Sequence, residues 1–280
     1  MYRSLLAILS IFSGCLHASS VIAQDRIGLV IAQAGYQYAA PLKNPPNDAR
    51  LIFERLEAAG FAVIRSIDEP RNVIGRKIGA FLELAKRKPQ LAIVFFAGHG
   101  VQVGGRNYLL PIDAEIATAH EIRWNAIGVD QLLSDLQEAG PTTILVFLDA
   151  CRDDPFMGRV SLPSRGLAPK EFSPPALRPN AQGDPLMSPQ GLALSYSTQA
   201  GNVAADGAGD NSPYALALAE LLSTPSITYR DLVFELRSKT RARTDGRQIP
   251  YWTESLMQIL RYTCARSNFN CPCSMSRAAQ

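Results

Sequence analysis

Cysteine, one-signed charge and long hydrophobic runs are all scarce in this 280-residue chain. Lysine and arginine total 28 against 25 aspartates and glutamates, a net charge of +3. So balanced a surface lacks the basic field that draws nucleic acid or an anionic membrane, and neither is expected as a partner. Five cysteines are too few for a fold stapled by disulfides. The most apolar stretch, near the N-terminus, falls short of the roughly 20 residues that a membrane-crossing helix needs, so no integral span is expected in the mature chain. With 47% hydrophobic and 19% charged residues, the composition excludes disordered, collagen-like and polytopic classes. What is present is enough chain for one large domain or two small ones, with a deep core.

Residues 1–23 read as a secretory signal. Arg3 supplies the positive start, Leu5 to Phe12 the apolar core, and Val21-Ile22-Ala23 the residues before a cut at Gln24. Secretion or export to a periplasm follows. An uncleaved anchor, or a lipoprotein acylated at Cys15, are the alternatives. Without this segment the chain keeps two histidines, His99 and His120, and four cysteines, Cys151, Cys264, Cys271 and Cys273.

The rest alternates apolar runs with helical patterns. Strands are predicted at 26–33, 61–67, 91–97, 143–149 and 191–197. Helices are predicted over 47–59 (with Asn47 as cap), 73–88 (with basic residues in its last turn), 129–139, 213–222 (opened by Ser212-Pro213) and 229–241. Leu91–Ala97 and Thr143–Asp149 are almost wholly apolar, as central strands covered on both faces should be. The alternation predicts an α/β fold: a mostly parallel sheet between two helical layers. Residues 152–190 break the pattern with eight prolines in 39 residues and read as a long loop. The tail from 263 is polar and cysteine-containing; Cys271-Pro272-Cys273 is too isolated for zinc, and a disulfide among Cys264, Cys271 and Cys273 has no readable pairing.

Open parallel sheets place sites outside the carboxyl ends of their strands. Two central strands end in reactive residues: Leu91–Ala97 runs into Gly98-His99-Gly100, and Thr143–Asp149 into Ala150-Cys151-Arg152. If these strands are neighbours, His99 and Cys151 share one rim and suit general base and nucleophile. A thiol with a pKa of about 8.5 is mostly protonated at neutral pH, so it needs such a partner. The backbone N–H groups of Gly100 and Cys151 are candidates for an oxyanion hole. Taken singly, Cys151 as an inert buried thiol and His99 as a turn residue are the bland readings; their joint placement favours a dyad.

These residues also carry a resemblance. Phe95-Phe96-Ala97-Gly98-His99-Gly100 with Gly105 to Asp113, and Leu148-Asp149-Ala150-Cys151-Arg152-Asp153-Asp154-Pro155-Phe156, closely resemble the histidine and nucleophile loops of bacterial caspase-like cysteine peptidases. Asn44-Pro45-Pro46-Asn47-Asp48-Ala49, Ser195-Tyr196-Ser197-Thr198, Asp206-Gly207 and Asn211-Ser212-Pro213-Tyr214 resemble further family segments in the same order. The resemblance covers about residues 26–262. It implies a caspase-like α/β/α sandwich and a cysteine endopeptidase acting on protein or peptide substrates, with His99 and Cys151 as the catalytic pair. A non-catalytic caspase-like binding module is the alternative.

Asp149 lies two residues before Cys151, where strand alternation favours a shared face. A carboxylate there hinders thiolate formation, so it needs another purpose. In the metacaspase branch, acids at the positions matching Asp149 and Asp48 bind a basic side chain before the cut. The resemblance therefore implies substrate contacts from Asp48, Asp149 and Ala97, and cleavage after Arg or Lys. Structural roles for both acids, in capping or in a helix's first turn, are the alternative. Calcium dependence occurs in that branch, but Asp153 and Asp154 match no calcium site, and no metal or other cofactor is expected. Arg159, Arg165, Lys170 and Arg178 would make the proline-rich loop a self-cleavage segment, or else it is an uncut surface loop.

Overall fold

The structure, a computed structural model, describes residues 25–151, 191–199, 206–207, 209–256, 260–263 and 276–277. The expected signal segment, Cys15, the proline-rich loop with its acids and basic residues, and Cys264, Cys271 and Cys273 lie outside them.

Chain order is β1 (Arg26–Ala32), α1 (Pro45–Ala58), β2 (Ala62–Ile67), α2 (Arg71–Ala85), β3 (Leu91–Val103), β4 (Arg106–Leu109), α3 (Ile122–Asn125), β5 (Ile127–Gly128), α4 (Val129–Ala139), β6 (Thr143–Cys151) and β7 (Gly191–Tyr196). It continues with α5 (Pro213–Leu222), β8 (Ser226–Thr228), α6 (Tyr229–Arg243), β9 (Tyr251–Glu254), β10 (Leu260–Thr263) and β11 (Ser276–Arg277). The main sheet runs β2-β1-β3-β6-β7-β9. Its first five strands are parallel, and β9 closes one edge antiparallel to β7. The expected mostly parallel α/β sandwich is what forms.

Alternation along β3 explains why the first half of that strand is apolar throughout. Leu91, Ile93, Phe95 and Ala97 pack with α1, α5 and α6 on one face. Ala92, Val94 and Phe96 pack with α2 and α4 on the other. Both faces are covered, so polar residues have no place in the strand's first half. Helix α1 is held by Ala49, Ile52 and Leu56, which repeat on one stripe and are fully buried.

Three of the boundaries that differ from expectation have clear local reasons. Helix α1 starts at Pro45, not beyond Asn47, because proline fits the first helical position. Its cap residue is Asn44, whose side chain donates to the Asp206 carbonyl instead of capping. Helix α2 stops at Ala85, so Lys86, Arg87 and Lys88 follow the helix and do not occupy its last turn. Strand β3 continues to Val103 and folds back as β4 through Gly104-Gly105, both with positive φ. Two left-handed residues make the primed turn whose twist suits a two-residue hairpin.

Because β1, β3, β6 and β7 are parallel, their carboxyl ends share one rim. The amino ends of α1 and α5 sit at that same rim. Phe95 is fully buried between layers. Phe95→Ala is expected to lower unfolding free energy by about 3–5 kcal/mol, read as a reduced denaturation midpoint at unchanged slope.

Candidate active site

Strands β3 and β6 pair in parallel register from Leu91 opposite Thr143 to His99 opposite Cys151. The last pair of the ladder therefore joins the two residues singled out in the sequence. Gly100 follows at once and is already paired with Leu109 of the hairpin.

His99 is 7% exposed and held at several points. Its Nε2 lies 2.7 Å from the Ala40 carbonyl oxygen. A carbonyl can only accept, so Nε2 carries the proton and Nδ1 is left as the basic nitrogen of the neutral ring. The His99 backbone N–H donates to the Tyr36 hydroxyl at 2.7 Å, and the two rings lie 4.5 Å apart. Burial pushes the imidazole below the ordinary histidine range, against the opposing effects of the Ala40 hydrogen bond and the Asp206 charge. The result is a neutral ring able to take a proton.

Asp149 and Asp48 are brought together from β6 and α1. Both are buried, at 7% and 1% exposure. Asp48 Oδ1 accepts from the Asn211 side chain and the Ser212 backbone N–H, each at 2.9 Å. Asp149 Oδ2 accepts from the Ser212 hydroxyl. The same hydroxyl accepts from Ala215 N–H at 2.9 Å, capping α5. Ser212 thus links two carboxylates to one helix terminus, whose positive end faces them.

Those donors do not neutralise the pair. Among the described residues, no lysine, arginine or histidine forms an ion pair with either acid. Burial first, then repulsion from Asp149, raises the Asp48 carboxyl well above the usual range. Burial likewise raises Asp149, and Asp206 adds to it. Asp206 is itself placed by the Lys43 N–H, which donates to its Oδ2 at 3.0 Å. Three acids therefore act on one small volume beside the end of β6. Among the described residues, no group of three or more His, Cys, Asp or Glu side chains is arranged to hold a metal ion.

The sequence singled out His99, Gly100, Cys151, Asp149 and Asp48, and the fold brings all five to one rim. Ala97, also expected to touch substrate, packs in the core at 1% exposure with its carbonyl accepting from Gln33 N–H. Asn211, Ser212 and Asp206 stand in the sequence only as parts of motifs; the Ser-Pro cap signal marks the helix start but not its contact with two acids. Ala40 and Tyr36 carried no sequence signal for their contacts with His99.

Raised carboxyl pKa values mean that the folded chain binds protons more tightly than the unfolded one. Stability from this source is complete below the ordinary carboxylate range and is lost as pH rises through the raised values. Asp149→Asn removes the charge and keeps an oxygen for Ser212. It is expected to raise Tm near neutral pH, by about 2–4 °C for each kcal/mol relieved, with the gain shrinking toward pH of about 4. Thermal melts of both proteins across that range check this; a lowered Tm at neutral pH would contradict the unneutralised pair.

A family model described as the caspase domain matches residues 25–260. The human mucosa-associated lymphoid tissue lymphoma translocation protein 1 is 27% identical over 131 residues, 47% of this chain and 15% of that protein. The mouse homolog matches to the same extent. The chain thus matches only a small part of these curated relatives. Among solved structures, caspase-1 from Spodoptera frugiperda is similar in fold, with a TM-score of 0.56 and 16% identity over 82% of this chain and 86% of that one. The model spans nearly all of the chain after its first 24 residues, and the chain belongs to the caspase-domain family of cysteine peptidases.

Proposed function

We propose that the protein is a cysteine endopeptidase that cuts after arginine or lysine, using Cys151 as nucleophile and His99 as general base and acid. The observation that carries this reading is a pair of buried carboxylates, lacking any cationic partner among the described residues, beside the β3–β6 register pair of His99 and Cys151. Such a pair is costly to hold without a cation and is relieved when one binds beside it.

In this mechanism Nδ1 of His99 takes the Cys151 thiol proton while the Ala40 carbonyl holds Nε2–H. The thiolate attacks the scissile carbonyl carbon, and the backbone N–H groups of Gly100 and Cys151 receive the oxyanion. The imidazolium then protonates the leaving amine, giving a thioester. Water, deprotonated by the same imidazole, releases the acid and restores the thiol. Asp48 and Asp149, with Asp206 adding negative potential, receive the guanidinium or ammonium of the preceding residue. Each step uses groups of the chain itself, so cleavage is expected to persist in a chelator. The N-terminal signal pattern adds that the enzyme works outside the cytoplasm, in a periplasm or beyond.

Peptides differing only in the residue before the scissile bond (Arg, Lys, Asp, Leu) test this directly. Arg and Lys peptides are expected to be cut fastest, and Cys151→Ala to abolish cleavage. Asp48→Asn and Asp149→Asn are each expected to cost about 10- to 100-fold in kcat/KM on the Arg peptide, mostly through KM. Faster cleavage after Asp or Leu would overturn the specificity. An uncleaved panel, with a Cys151 thiol no more reactive than a free one, would point to a binding module instead.

The pH dependence has a definite sign. Protonating the acids removes their attraction for a cation, so kcat/KM on Arg peptides is expected to rise with pH through the raised carboxyl range. The rise should be steeper than for a Leu peptide, and Asp149→Asn should shrink the difference to what Asp48 contributes.

A further inference from the structure

Tyr36 lies in the loop after β1, yet it is only 8% exposed. Its hydroxyl accepts from the His99 backbone N–H at 2.7 Å and donates to the Leu110 carbonyl at 3.3 Å. His99 returns a bond to the same residue, its carbonyl accepting from Leu110 N–H at 3.0 Å. His99 stands where β3 stops pairing with β6 and starts pairing with β4. At that fork the Tyr36 hydroxyl partners the buried N–H of the residue that bears the imidazole, and its ring lies against the imidazole at 4.5 Å.

The residue before His99 is fitted to this contact. Gly98 has φ of +152°, and a Cβ there would lie 2.6 Å from the Tyr36 hydroxyl and 3.0 Å from the Gln33 carbonyl oxygen. A side chain at 98 would expel the hydroxyl, so the glycine makes room for it. The loop is also tied down at its start. Asp68 Oδ1 accepts from Ala34 N–H at 2.6 Å and Gly35 N–H at 3.1 Å. Leu42 N–H closes the loop onto the Ala34 carbonyl at 3.0 Å. One short segment, anchored by Asp68, therefore grips His99 at two ends: Ala40 at the ring Nε2 and Tyr36 at the backbone N–H and the ring face.

We propose that Tyr36 is the positioning residue of His99: its hydroxyl and ring hold the imidazole at the angle that keeps Nε2 on Ala40 and leaves Nδ1 for proton transfer. The proposal rests on His99 being the base. It assigns Tyr36 no contact with substrate and no chemical step. Its loss acts on the proton-transfer steps and leaves substrate binding unchanged.

Tyr36→Phe keeps the ring and removes the hydroxyl; Asp68→Ala loosens the start of the same loop, just before Tyr36, without touching His99. Two measurements on the folded full-length protein decide. The first is the imidazole ¹⁵N spectrum of His99, assigned with His120→Gln and His99→Ala. The wild type is expected to show one Nε2-protonated ring, and Tyr36→Phe a mixture of tautomers. The second is peptide cleavage, where Tyr36→Phe is expected to lower kcat about five- to tenfold with KM within about twofold, and Asp68→Ala to act in the same direction less strongly. An unchanged His99 spectrum in Tyr36→Phe overturns the proposal, whether or not the wild type cleaves peptides. So does an unchanged kcat where the wild type is active. If Tyr36→Phe does not fold, an unchanged spectrum in Asp68→Ala overturns it equally. A wild type without peptidase activity but with a His99 ring that shifts in Tyr36→Phe refutes the proposed function and leaves the positioning contact standing.

Discussion

Nine in-register pairs between β3 and β6 fix the geometry on which the site depends. Parallel pairing carries the phase of the ladder from Leu91–Thr143 at one end to His99–Cys151 at the other. A slip of one residue would break that juxtaposition and turn every core side chain of one strand to the wrong face. The register is held because both faces of both strands are buried. Phe95 and Phe147 pack toward one helical layer, and Phe96 and Leu148 toward the other. The same burial that stabilises the sheet thus sets His99 opposite Cys151 at its rim.

The electrostatics beside that rim run against stability. Two carboxylates are buried without a cation among the described residues, and the fold answers with neutral donors: Asn211, the Ser212 amide and hydroxyl, and the positive end of α5. Hydrogen bonds of this kind lower the cost of the charges and leave a negative potential unspent. In the proposed enzyme that potential is the specificity device, relieved when a basic side chain enters. Ser212 joins the two demands, since one hydroxyl both caps α5 and bonds Asp149. The amino end of α5 and the buried acid pair are therefore one structural unit.

The strand order explains which parts of this could be read in advance. Leu91–Ala97 and Thr143–Asp149 announce central strands because only a twice-covered strand is apolar at every position. Residues just past such strands are natural candidates for chemistry, so His99, Gly100 and Cys151 stood out. The apolar run marks a strand only as far as Ala97, whereas pairing with β4 carries it on to Val103. Ala97, for which the resemblance implies a substrate contact, is packed by strand alternation into the core. Contacts made by backbone oxygens, such as Ala40 on His99, leave no trace in residue type.

Hydrophobic periodicity, the Ser-Pro cap, and glycines at the strand ends determined by themselves the α/β class, the helices and the rim on which His99 and Cys151 would lie, because these are local consequences of chain geometry and burial. Only the tertiary structure decided that Asp48 of α1, Asp149 of β6 and Ser212 of α5 share one buried volume. It also decided that a loop leaving β1 grips His99 from two sides. Those contacts join residues 59 to 164 positions apart, and their partners are set by how layers stack, not by any pattern along the chain.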